Sequence, residues 1–109
     1  MVVNSNPDAL EIIRISEKEL RQKFNDGRFW DGTKSGELTK VILSRHIPQS
    51  SHEPAGTESQ IISLRDSNDQ EVARAHIYFR PDGTLGASGW PDPKIIRAGN
   101  ILYMQKKKR

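Results

Sequence analysis

The stretch that decides the fold is Val72-Ala73-Arg74-Ala75-His76-Ile77-Tyr78-Phe79-Arg80, followed by Pro81-Asp82-Gly83-Thr84-Leu85-Gly86-Ala87-Ser88. Side chains along a strand alternate between two faces. Here Ala73, Ala75, Ile77 and Phe79 fall on one face, and Arg74, His76, Tyr78 and Arg80 on the other. Pro81-Asp82-Gly83 suits a type I turn, because proline presets φ at its first central position and glycine accepts the left-handed residue that follows. That turn sets Arg80 against Thr84, Phe79 against Leu85, Tyr78 against Gly86, Ile77 against Ala87 and His76 against Ser88. The apolar and polar faces then continue across the hairpin, and two strands agree on the sorting.

Outward from this hairpin, Ile61 to Asp66 pairs with Glu71 to Arg80 around Ser67-Asn68-Asp69-Gln70. A two-residue turn at Asn68-Asp69 places Ser63 and Arg65 on the polar face. Upstream, Ser16-Glu17-Lys18-Glu19 is a capping box in which hydroxyl and carboxylate each satisfy the other residue's amide. Leu20 and Phe24 follow four apart, so a helix runs to about Asn25, ends before Gly27 and offers one apolar edge to Ala73 and Ala75. Leu10 to Ile15 reads as a strand, with a helical turn from near Pro7 as the alternative. Arg28 to Gly32 reads as a turn and Leu38 to Ile47 as a strand. Pro48 to Gln60 is a long loop whose only apolar member is Ala55. Asp92 to Gly99 carries helix signals, with Asp92 as cap and Pro93 at the first position; the rival is a turn at Gly99-Asn100 between two strands. Ile101 to Met104 is the last strand. The class is α+β: one main helix packed on a four- to six-stranded antiparallel sheet. Residues 1–105 form a single domain and 106–109 a basic tail.

Composition narrows the chemistry. In 109 residues there is no cysteine, which excludes disulfides, iron–sulfur clusters and a thiol nucleophile. The longest apolar run, Ile101 to Met104, is far below the roughly 20 residues of a membrane helix. No charged start with a long apolar stretch follows Met1, so a cytoplasmic location is expected. The net charge is +3, and setting aside Lys106, Lys107, Lys108 and Arg109 leaves 13 basic against 14 acidic residues. Residues 72–109 hold 8 basic and 2 acidic groups, a net of +6, so an anionic partner is sought there.

Arg74, His76, Tyr78 and Arg80 are the candidate ligand-binding residues. Guanidiniums form paired hydrogen bonds to phosphate or carboxylate, and Tyr78 beside Gly86 presents an open ring on which a base stacks. The leading expectation is a small non-enzymatic module for an anionic partner, nucleic acid first. The first alternative is a protein-interaction or adaptor domain that meets an acidic surface. The second is a metal-independent ribonuclease with His76 as proton carrier, which lacks a second carrier because His46 and His52 have no assigned position. A plainer reading makes the four side chains the solvated side of a two-faced sheet. His46 and His52 beside Glu53 fit no zinc spacing, Trp90 reads as a plug in the core, and nothing asks for a metal or cofactor.

The block His76-Ile77-Tyr78-Phe79-Arg80-Pro81-Asp82-Gly83-Thr84-Leu85-Gly86-Ala87-Ser88-Gly89-Trp90-Pro91-Asp92-Pro93-Lys94 resembles a segment of small bacterial proteins with no assigned activity. The resemblance implies a free-standing bacterial domain and carries no functional residue.

Overall fold

The capping box forms as its residues dictate: the Ser16 hydroxyl accepts from the Glu19 amide at 3.1 Å, and the Glu19 carboxylate accepts from the Ser16 amide at 3.1 Å. It starts helix α1, Glu17–Asp26, in a computed structural model that describes residues 10–49 and 52–107. The possible turn near Pro7 and the end of the tail, Lys108 and Arg109, lie outside the described residues. The other elements are β1 (Glu11–Ile15), α2 (Phe29–Ser35), β2 (Thr39–His46), β3 (Glu58–Arg65), β4 (Glu71–Phe79), β5 (Asp92–Ala98) and β6 (Ile101–Gln105).

The protein is α+β, with both helices on one face of a six-stranded sheet in the order β1-β6-β5-β4-β3-β2. The sheet is mixed. β1 runs parallel to β6, anchored at its ends by Glu11 N–H donating to Asn100 O and Lys106 N–H donating to Ile15 O, and every other pairing is antiparallel. Lys106 therefore extends the pairing of β6 with β1 by one bond. α1 crosses β5 and β6 and inserts Leu20 and Phe24 against Ile15, Ile62, Leu64, Ala73, Ala75, Ile77 and Ile96. Ala73 and Ala75 are buried as the alternation predicts, and their small side chains leave room for this layer. No helix among the described residues is long and apolar enough to cross a membrane.

Four local readings are corrected. Residues 29–35 form a helix rather than a turn. Phe29 stacks on Phe24 with centroids 5.6 Å apart and Trp30 packs on the core, so burial of the aromatic pair outweighs the turn signal of Gly32. Residues 92–98 form a strand rather than a helix, and Gly99, at φ 61°, makes the turn into β6. Pro93 is tolerated because it sits at a bulge opposite Ala75, before pairing with β6 begins at Ile95. β5, not the segment after Gly83, is the main partner of β4. His76 therefore faces Asp92 rather than Ser88, and the expected register holds only next to the turn, where Arg80 N–H donates to Thr84 O at 2.9 Å, Phe79 bridges Leu85 and Gly86 N–H donates to Tyr78 O at 2.8 Å. The long loop is shorter than read: β3 begins at Glu58, and Thr57, Ser59 and Gln60 are buried.

Candidate functional site

Among the described residues no helix lies on the second face of the sheet, and the register assembles it row by row. Arg14, Met104, Ile95, Arg74, Ser63 and Val41 line up across all six strands. Ile12, Leu102 and Arg97 stand to one side of this row. To the other side come Asp92, His76, Ile61 and Ser44, and then Tyr78, Ser59 and His46. Arg74, His76 and Tyr78 thus share one face, joined by Ser63 and Arg65, whose Nε donates to the Ser63 hydroxyl at 3.2 Å.

Each of the four candidate residues has a partner. Arg74 donates Nε and Nη2 to the two oxygens of Glu71, at 3.0 and 2.9 Å. Burial pushes the Glu71 carboxyl up, but the bonds from Arg74 and Ser63 outweigh it and leave its pKa lowered. Arg80 lies one residue past the end of β4 and donates Nε to Glu53 at 2.7 Å, while the second Glu53 oxygen accepts the Ala87 amide at 2.7 Å. Those two bonds hold the Glu53 pKa down. His76 Nε2 lies 2.7 Å from the Ser59 hydroxyl, and the imidazole meets Tyr78 edge-on at 4.7 Å.

Two guanidiniums that sequence reasoning passed over are differently placed. Arg14 donates to Gln105 O at 3.2 Å and Arg97 to Gly99 O at 2.9 Å, and among the described residues neither has a carboxylate in an ion pair. The alternation of Ile13, Arg14 and Ile15 was the signal that one of them faces away from the core. Reading 92–99 as a helix hid the other.

β5 begins opposite His76, so the last part of β4 has a notch beside it, walled by the excursion of residues 86–91. This cleft of about 550 Å³ is lined by Arg21, His76, Tyr78, Gly86, Trp90 and Asp92 among others. Trp90 is a correction: it is 40% exposed rather than a core plug, and its indole N–H donates to Asn25 Oδ1 at 2.8 Å. Asp92 is no helix cap either; its carboxylate accepts from Lys94 Nζ at 2.9 Å. The residues around the notch thus include two aromatic side chains, an imidazole and the guanidinium of Arg21, which pairs with Glu17 at 3.1 Å.

Burial lowers the His76 pKa, the Lys94 charge and His46 lower it further, and Asp92 opposes them. The imidazole is thus neutral at pH 7 and able to accept a proton. His46, left without a place by the sequence, stands on the same face in the row of Ser59 and Tyr78. Because the folded state binds this proton more weakly than the unfolded chain, stability rises with pH across the window between the lowered folded value and the ordinary histidine value. Urea unfolding at pH 7, 6 and 5 is expected to show stability falling with pH, and His76→Gln, which keeps a partner for Ser59, is expected to flatten the part of that fall near pH 6. An unchanged slope in the variant would place the titration elsewhere.

Among the described residues no three His, Asp or Glu side chains are grouped to hold a metal ion. Compared with family models, curated proteins and solved structures, the chain matches none of them.

Proposed function

We propose that this protein is a non-enzymatic binding module that takes a single-stranded polynucleotide across the helix-free face of its sheet. The observation that carries this reading is the pair Arg14 and Arg97, two guanidiniums with no carboxylate in an ion pair among the described residues, on the face that also presents Tyr78 and His76. Guanidiniums hold phosphates through paired charge-assisted hydrogen bonds, and unstacked bases rest on aromatic rings. Tyr78 and Trp90 line one notch at the margin of this face, so a strand crossing the sheet has a place to set a base. The +6 charge of residues 72–109 supplies the long-range attraction. The centre of binding is thereby Arg97 and Arg14 with Tyr78, while Arg74 and Arg80 spend much of their charge on Glu71 and Glu53.

Fluorescence anisotropy with labelled single-stranded RNA and DNA at rising salt tests this. Log affinity is expected to fall linearly with log salt concentration. Arg14→Ala and Arg97→Ala are each expected to flatten that slope by about 0.7, the increment of one single-strand phosphate contact, and Arg80→Ala to leave it nearly unchanged. Absence of binding at low salt overturns the reading. His46 on the same face as His76 favours a second reading, metal-independent cleavage of RNA. Shortened RNA on a denaturing gel, abolished by His76→Ala, would turn the assignment to it.

A further inference from the structure

The sheet ends on one side at β2, which among the described residues pairs only with β3 and has no strand on its outer backbone edge. Such an edge is a template for another strand unless it is blunted. Its apolar content is high and uncovered: Ile42 is 39% exposed, Leu43 43% and Ile47, just beyond the strand, 57%. The charged side chains of β2, Lys40 and Arg45, are both basic, and neither has an ion pair among the described residues. Lys40 rests over the Phe79 ring, 4.7 Å from its centroid. On the helix side, Lys40, Ile42 and Arg45 stand opposite Leu64, Ile62 and Gln60, so these three share one face despite the bulge at Leu43.

A groove of about 400 Å³ lies inboard of this edge, between Lys40, Ile42 and Arg45 of β2 and Glu58, Gln60 and Phe79 of the next two strands. Gln60 is 2% exposed, donates Nε2 to Glu58 at 2.8 Å, and keeps its carbonyl oxygen buried with no donor. Self-pairing is disfavoured by the same residues. Full antiparallel overlap of two β2 strands sets Lys40 of each copy against Arg45 of the other, and like charges directly opposed repel. The charges that turn away a second copy suit a segment of opposite sign.

We propose that the outer edge of β2 binds an extended acidic segment of another protein as a seventh strand, with carboxylates opposite Lys40 and Arg45 and apolar side chains over Ile42 and Leu43. This surface is separate from Arg14, Arg97 and Tyr78, so the proposal stands independently of polynucleotide binding. The test is an amide-shift titration of the intact protein with a short capped peptide whose glutamates are spaced to face Lys40 and Arg45 and whose valines face Ile42 and Leu43, run beside the lysine–valine counterpart with lysine in place of each glutamate. Saturable shifts are expected in Thr39 to His46 with the acidic peptide alone. The double variant Lys40→Glu, Arg45→Glu is expected to lose at least tenfold in affinity for it and to gain the lysine–valine peptide. That gain shows the variant folded. Arg14→Ala with Arg97→Ala is expected to leave peptide binding unchanged. Shifts confined to the face of Arg97 and His76, equal binding of both peptides, or no saturable shift in β2 would each overturn the proposal.

Discussion

Phe24→Ala is expected to lower the free energy of unfolding by about 3–5 kcal/mol, the usual cost of deleting a buried phenyl ring together with the cavity left behind. The ring is 1% exposed and sits between α1 and the sheet, in the cluster that holds Leu20, Ala73, Ala75 and Ile96. It also stacks on Phe29 at 5.6 Å, so its loss removes the surface against which α2 is seated. Domains of this size are stable by about 5–15 kcal/mol, so the loss removes between about a fifth and all of that margin. Urea denaturation followed by circular dichroism checks this through a large fall in midpoint at similar slope. A loss below about 1 kcal/mol would mean that the space collapses around alanine, and that α1 is held by its cap more than by its buried edge.

Gly86→Ala is expected to destabilise the protein by about 1–3 kcal/mol, as overpacking of a filled site does, and to lose that effect when Glu53 is absent. A Cβ at position 86 would fall on the Glu53 carboxylate, with Oε1 and Cδ as nearest atoms. Unlike Gly83, Gly86 does not need the left-handed backbone region, so alanine is conformationally acceptable there, and the three atoms nearest an added Cβ all belong to the Glu53 carboxylate. To admit the methyl group, Glu53 must give up Arg80 Nε, the Ala87 amide, or both. In the Glu53→Ala background the carboxylate is gone, and Gly86→Ala is expected to cost almost nothing. The two substitutions thus form a double-mutant cycle with a large coupling. Thermal unfolding of the four proteins measures it. Additive losses would mean that Glu53 is not the group that fills the space beside Gly86.

The side-chain sorting of β4 was legible because a period of two leaves no freedom once one face is buried. Ala73, Ala75 and Ile77 are core, and Arg74, His76 and Tyr78 are not. The start of α1 was legible for a similarly local reason, since Ser16 and Glu19 satisfy each other within one turn. The partner of β4 was not legible. Gly83 does turn the chain, with Thr84 N–H and hydroxyl both donating to Asp82, but the segment beyond it makes a single bridge and then leaves the sheet. β5 takes that place because Ile95 and Ile96 add apolar surface to the sheet, Ile96 in the buried core.

Alternation, caps and turns bind residues a few positions apart, so the amino-acid order alone determined where β4 shows its two faces, where α1 begins, and that the positive charge gathers after residue 72. Which groups meet across those faces is a matter of long-range pairing. Only the folded chain brings β1 alongside β6 and so sets Arg14 in line with Arg74, carries Glu53 to Arg80 and Gly86, and leaves β2 at an open margin. These contacts follow from burying one shared core, a free energy summed over the whole molecule that no short stretch of residues encodes.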